Sequence, residues 1–283
     1  VDIYEFIPQR SFVKGREYPE KLFDSKKASK ILWMESINHQ RVLNLQWEVP
    51  KELALLDDKQ AYNIVQRVIG DESPHSLAQQ LKNTHWITSL NAGADRLDKD
   101  ILYLFISMEL SQEGLEHVEE LLLELDKGIR AFKEQPLKAY IFEESVELAK
   151  LRYTFPQGSS GQNQVIGAAR DMIYEPLESY PRLTLAPKMM DQEGYKKLLS
   201  MMTLDQAYIN IWAEPSEIKY ELDQQESSLG AFYCEKKLGD LSSLQLTQSI
   251  DVGLPPSNQF IPKELSLPEE IEASNQSFLS IPD

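Results

Sequence analysis

Five residues, His117-Val118-Glu119-Glu120-Leu121, come nearest in this chain to a catalytic signature. Zinc-binding helices of the inverted type carry His-x-x-Glu-His, two imidazoles holding the metal while the carboxylate activates its bound water. His117 and Glu120 fit that spacing, but Leu121 stands where the second imidazole is needed. A catalytic site uses three protein ligands and a water, so the segment reads as the polar face of a helix.

Other chemistry-bearing residues fall short sooner. Cys234 is the single cysteine, and the four histidines (His39, His75, His85, His117) are remote from it in sequence, so it reads as a buried structural thiol. The GSSG at 158–161 lacks the Gly-x-Ser-x-Gly spacing of a nucleophile elbow and reads as a loop. The chain has no Gly-x-Gly-x-x-Gly and no phosphate-binding loop. The pairs Asp57/Asp58 and Glu143/Glu144 are adjacent, so on a helix they point apart and cannot easily share a proton or a metal. With 45 acidic against 29 basic residues the net charge is −16, which repels phosphate backbones and anionic lipid headgroups. Neither nucleic acid nor a membrane surface is an expected partner.

The elements that would position a site follow from periodicity. Over 283 residues, 42% apolar, there is enough material for a sizeable core. Val42–Val49 alternates as a half-buried strand, with Ile31–Glu35 as its expected partner across a turn near Asn38. Residues 58–69 are helical, a short helix carrying Leu77 and Leu81 follows, and Ile101–Glu109 is short and apolar enough for a buried central strand. Ser111 is placed to cap a long helix with a stripe from Leu115 through Val118, Leu122, Leu125 and Ile129 to Phe132, and Pro136 starts another. Between 162 and 202 the prolines 176, 181 and 187 predict several short helices, and strands are expected at 207–213 and 230–237. Past Asp251 the apolar residues lose any period, as in a tail or linker. The fold class read from this order is α+β, a mainly antiparallel sheet with helices packed on one face.

One stretch resists a packing explanation. In HWITSLNAGAD, residues 85–95, Trp86, Ile87, Thr88 and Leu90 suit a strand, whereas Ala92, Gly93 and Ala94 offer bare backbone. An exposed strip of main chain at Asn91–Ala94 is the most unusual local feature of the chain.

Several segments, in order, resemble the second domain of the pitrilysin and insulysin family of zinc endopeptidases. SLAQQLKNTHWITSLNAGAD (76–95) is similar to a helix and edge strand of that domain, where pitrilysins carry a close Asn-Ala-Gly-Ala-Asp. ISMELSQEGLEHVEELLL (106–123) resembles the strand, turn and long helix that follow. AYIFEESVELAKLRYTFP (139–156) looks like the family helix ending in Phe-Arg-Tyr or Phe-Arg-Phe, and NQFIP (258–262) matches Asn-x-Phe-Ile-Pro; MIYEPLESY (172–180) and LSLPEEI (265–271) match loosely.

That resemblance implies a division of labour. Residues 1–30 would be a lead-in from a preceding domain, 31–250 the family's middle domain and 251–283 a linker towards the second half. The family's four related domains enclose a chamber, and its zinc lies in the first of them, so no cofactor is expected here and zinc is expected in the missing N-terminal domain. The corresponding helix of this chain, near Asp58–Ile69, has no histidine. The family's second domain uses its edge strand as an exosite for peptide substrates, which maps onto Leu90, Asn91, Ala92, Gly93 and Ala94. The loop of Gly70, Asp71 and Glu72 would receive the peptide's amino terminus, although Ser73, Pro74 and His75 replace the family's small residues. The implied partners are peptide substrates and the other domains of the same enzyme, in the cytosol or a bacterial periplasm. The alternative is an independent, non-peptidase interaction subunit of the same fold. Either way, metal analysis of the purified chain is expected to find no stoichiometric zinc, and one tightly held zinc per chain would overturn this reading.

Overall fold

Side-chain alternation along the strands builds a two-layer molecule. The computed structural model describes residues 30–36, 38–98, 101–155, 161–239 and 251–262. The lead-in up to residue 29, most of the GSSG loop, and the continuation from 263 with its LSLPEEI lie outside these. Seven strands, β1 (Lys30–Glu35), β2 (Val42–Glu48), β3 (Ile87–Asp98), β4 (Ile101–Leu110), β5 (Tyr208–Ala213), β6 (Gln224–Gln225) and β7 (Phe232–Lys237), form one sheet in the order β3-β4-β2-β5-β1-β7-β6. Only the β1–β5 pair is parallel, so the sheet is mainly antiparallel. Leu43, Leu45 and Trp47 on β2, Leu102, Leu104, Ile106 and Met108 on β4, and Ile31 and Trp33 on β1 are buried, and the residues between them on these strands are mostly half-buried.

The helices are α1 (Lys51–Ala54), α2 (Ala61–Ile69), α3 (Leu77–Lys82), α4 (Gln112–Glu116), α5 (Val118–Glu134), α6 (Ala139–Thr154), α7 (Gly161–Tyr174), α8 (Arg182–Leu185) and α9 (Gln192–Met201). The α5 stripe is buried as its 3.6-residue period requires, through Leu121, Leu122, Leu125, Ile129 and Phe132. Tyr62, Val65 and Ile69 of α2 and Leu198 and Leu199 of α9 join it in one core. By contrast α7 buries no residue and exposes Val165, Ile166 and Ile173. No described helix is long and apolar enough to cross a membrane.

Four expectations need correction. Ile31–Glu35 does not pair with Val42–Val49: β5 lies between them, parallel to β1 through Ile31↔Ile209 and antiparallel to β2 through Leu43↔Ile211. The long helix is interrupted at His117, where the backbone leaves helical angles and its N–H is shared between the Glu113 and Gly114 carbonyls. The helix after Pro136 begins only at Ala139, and of its residues only Ile141 is buried. Finally, residues 251–258 are docked instead of trailing away. Val252 is buried, its carbonyl accepts from Gln135, the Gly253 N–H donates to His75 at 2.8 Å, and the Tyr140 hydroxyl donates to the Pro255 carbonyl.

The start of β3 is held by a close approach that only glycine permits. A Cβ on Gly114 would stand 1.9 Å from the Trp86 carbonyl oxygen, which also accepts the Ser111 N–H at 2.9 Å. Gly114→Ala is therefore expected to destabilise the fold by about 1–3 kcal/mol through forced backbone displacement. Gly167→Ala on α7, where the added methyl meets nothing within 4 Å, is expected to stabilise by about 0.5–1 kcal/mol through helix propensity. Denaturant midpoints of the two variants test this; equal midpoints would contradict the close packing at Trp86.

Candidate functional site

β3 is an edge strand, bonded to β4 and to no other strand among the described residues. Which of its peptide groups face outward follows from the next strand in. The Leu110 N–H donates to the Arg41 carbonyl and the Val49 N–H to the Leu102 carbonyl, both at 2.8 Å, so even-numbered residues of β4 direct their main chain towards β2. Its odd-numbered residues bond to β3, and the register pairs Ser107 with Asn91, Phe105 with Gly93, and Tyr103 with Asp95. Asn91, Gly93 and Asp95 are thereby committed inward. Leu90, Ala92, Ala94 and Arg96 present their N–H and C=O to the outside.

The Arg96 end of this edge is closed. The Tyr174 hydroxyl, from the last residue of α7, donates to the Arg96 carbonyl at 3.5 Å. The Arg96 guanidinium turns back to donate to the Ala54 carbonyl and to the Tyr62 hydroxyl at 3.3 Å, with its charge 5.8 Å from the Tyr62 ring centroid and 5.9 Å from that of Tyr174. Burial pushes the Tyr62 hydroxyl above its ordinary range, against the opposing pull of Arg96. At the other end the Leu90 side chain is buried, Ala92 and Ala94 pack partly on the core, and Trp86 stacks on His117 with ring centroids 4.9 Å apart. The open stretch is therefore Leu90, Ala92 and Ala94. Asn91 and Gly93, which the sequence groups with them, supply faces and no outward bonds.

The structure brings Gly70 to this edge. A methyl group on Gly70 would lie 3.5 Å from the Ala92 Cβ and 3.6 Å from the outward Ala92 carbonyl, so the C-cap of α2 borders the edge with bare backbone. The acids beside it are already engaged. The Asp71 carboxylate accepts from the Ser73 N–H at 3.1 Å and from its hydroxyl, and Glu72 pairs with Lys82 at 2.8 Å. Asp71 organises its own loop, and Glu72 sits in an exposed pair of small energetic consequence.

On the outer face of β3 lie Asn91, Gly93 and Asp95, beside Ser107, Phe105 and Tyr103 of β4. The Tyr103 hydroxyl donates to Asp95 at 3.1 Å, and its pKa is raised first by burial and then by that carboxylate, so it remains a donor. Nothing in the apolar run ILYLFISME singles out Phe105. The register pairs it with Gly93, and its ring lies across that glycine.

The other chemical candidates have structural roles. His117 sits between α4 and α5, 3.5 Å from Glu120, and Leu121 is buried, so this segment cannot hold a metal with three ligands. Among the described residues no three His, Cys, Asp or Glu side chains gather as a metal site. Cys234 is buried on β7. Asp57 accepts the Lys59 and Gln60 N–H groups before α2, Asp58 pairs with Arg182, and Glu144 accepts from Arg67 at 3.1 Å, from Ser257 and from the Asn258 N–H.

Comparison with known proteins gives the chain its relatives. Human insulin-degrading enzyme is 25% identical over 214 residues, 73% of this chain and 20% of its own length. The Drosophila melanogaster insulin-degrading enzyme is 25% identical over 211 residues, 72% and 21%. The Saccharomyces cerevisiae A-factor-processing enzyme is 24% identical over 159 residues, 55% and 15%. The chain thus spans about a fifth of the length of the curated relatives it matches. The crystal structure of pitrilysin superposes with a TM-score of 0.78 over 90% of this chain and 27% of that one; at 18% identity the likeness concerns the fold. Residues 7–148 match the family model described as the peptidase M16 inactive domain, and residues 153–280 the middle or third domain of peptidase M16. With both models matched in sequence and the pitrilysin fold beneath them, this chain belongs to the M16 peptidase family, in the part that carries its inactive domain.

Proposed function

We propose that the chain is the non-catalytic, substrate-holding and chamber-forming part of a zinc-dependent endopeptidase. An extended peptide segment joins the sheet beyond β3, and a different domain of the longer protein carries the zinc and cuts. The observation that carries this reading is the outward main chain of Leu90, Ala92 and Ala94, three N–H and three C=O groups with no partner among the described residues. Strand addition uses such groups for affinity and the alternate side chains for selection. Small residues at 92–94 and bare backbone at Gly70 put little side-chain bulk beside this edge.

The peptide's amino terminus belongs near Gly70, Asp71 and Glu72. The net charge of −16 favours an ammonium there, and the two carboxylates add local potential while remaining tied to Ser73 and Lys82. Main-chain bonds alone hold the segment weakly. Six bonds at about 1 kcal/mol each are offset or outweighed by about 1–2 kcal/mol per residue for ordering roughly five residues, so side-chain burial must supply the net affinity. Such an edge holds peptides of many sequences and releases them readily.

Ala92→Pro tests the mode of binding directly. The Ala92 N–H points outward and takes no part in the β3–β4 ladder, and an edge strand tolerates proline where its N–H faces solvent. The variant is expected to keep its fold by circular dichroism and to lose about tenfold in affinity for an extended peptide, from one lost donor plus added bulk. Unchanged affinity would rule out strand addition at this edge.

A further inference from the structure

We propose that Phe105 is the specificity-determining contact of the β3 edge, its ring forming one wall of a subsite for an apolar side chain of the bound peptide. This rests on the strand-addition reading above. Phe105 faces Gly93 across the β3–β4 ladder, and a Cβ on Gly93 would meet the Phe105 Cζ at 2.4 Å and Cε1 at 2.5 Å. The ring therefore fills the volume that a side chain at 93 would have taken, and its tip lies over the strand next to the open edge. It is half-buried, leaving apolar surface to be covered. Tyr103 stands behind it with centroids 6.3 Å apart, fixed in turn by its bond to Asp95.

The register then selects one residue of the peptide. Gly93 spends its main-chain bonds on β4, so an incoming residue opposite it forms a non-hydrogen-bonded pair, the arrangement in which Cα atoms approach to about 4.5 Å and side chains come closest. Opposite residues share a face of the sheet, which puts that side chain on the outer face beside the ring. With no side chain on Gly93 between them, a leucine, branched or aromatic group at that position packs on Phe105. The neighbouring peptide residues turn to the other face, towards Ala92 and Gly70. A glycine backed by a cross-strand aromatic ring thus serves two ends, restoring the packing that the glycine gives up and reading one side chain of the ligand.

The test uses fluorescein-labelled nine-residue peptides of alternating Thr and Ala, with one Leu moved along the sequence, titrated by anisotropy with the 283-residue chain. For the wild type, one Leu position is expected to bind about fivefold tighter than the parent peptide. In Phe105→Ala that preference is expected to fall below about twofold. Phe105→Leu, which keeps an apolar strand residue and so protects the fold, is expected to show an intermediate preference. A Leu preference that survives both substitutions, or a wild type with no preferred position, overturns the subsite. Failure of the underlying reading is separate: Ala92→Pro would then leave binding of every peptide unchanged.

Discussion

The alternation of main-chain bonds across β4 is the constraint on which the rest depends. Because its even-numbered residues bond to β2, its odd-numbered ones must bond to β3, and this divides β3 into inward-bonding Asn91, Gly93 and Asp95 and outward-bonding Leu90, Ala92 and Ala94. The same parity puts the side chains of the outward-bonding residues on the core and leaves Gly93 beneath the Phe105 ring. A one-residue slip would exchange the two sets and send Leu90 to solvent, so the buried face of the sheet and the chemistry of its edge are set together.

The helical layer holds that edge in place at three points. Gly114 lets the start of α4 close against the Trp86 carbonyl and fixes where β3 begins. Gly70 ends α2 beside Ala92 and brings no side chain to the edge. Arg96, bonded to Ala54 and Tyr62 and covered by Tyr174, ends the available stretch. Segment 251–258 adds a brace behind the Gly70 loop, running from His75 to Glu144. In this M16 inactive-domain chain all three contacts converge on the same strand edge.

Much of this was legible in the residues. Strict alternation announced β2, the period of the α5 stripe announced its buried face, and small residues after Leu90 marked a strand that could not pack on both sides. Long-range order was not legible. Residues 208–213 enter between β1 and β2 from more than 160 positions away, and nothing local in Ile31–Glu35 forbids a simple hairpin. The role of Phe105 was hidden for a related reason: an apolar run reads alike on both faces until its partner register is known. The stretch after Asp251 looked like a linker because its attachments are largely main-chain carbonyls and N–H groups, which leave no hydrophobic period.

Residue-resolved amide hydrogen exchange, with and without a saturating extended peptide, tests the central claim most directly. In the free chain the amides of Asn91, Gly93 and Asp95 should already be protected by β4, and those of Leu90, Ala92 and Ala94 should exchange fast. Peptide should slow Leu90, Ala92 and Ala94 and leave the other three nearly unchanged. Protection appearing elsewhere while these three amides stay fast would contradict the account.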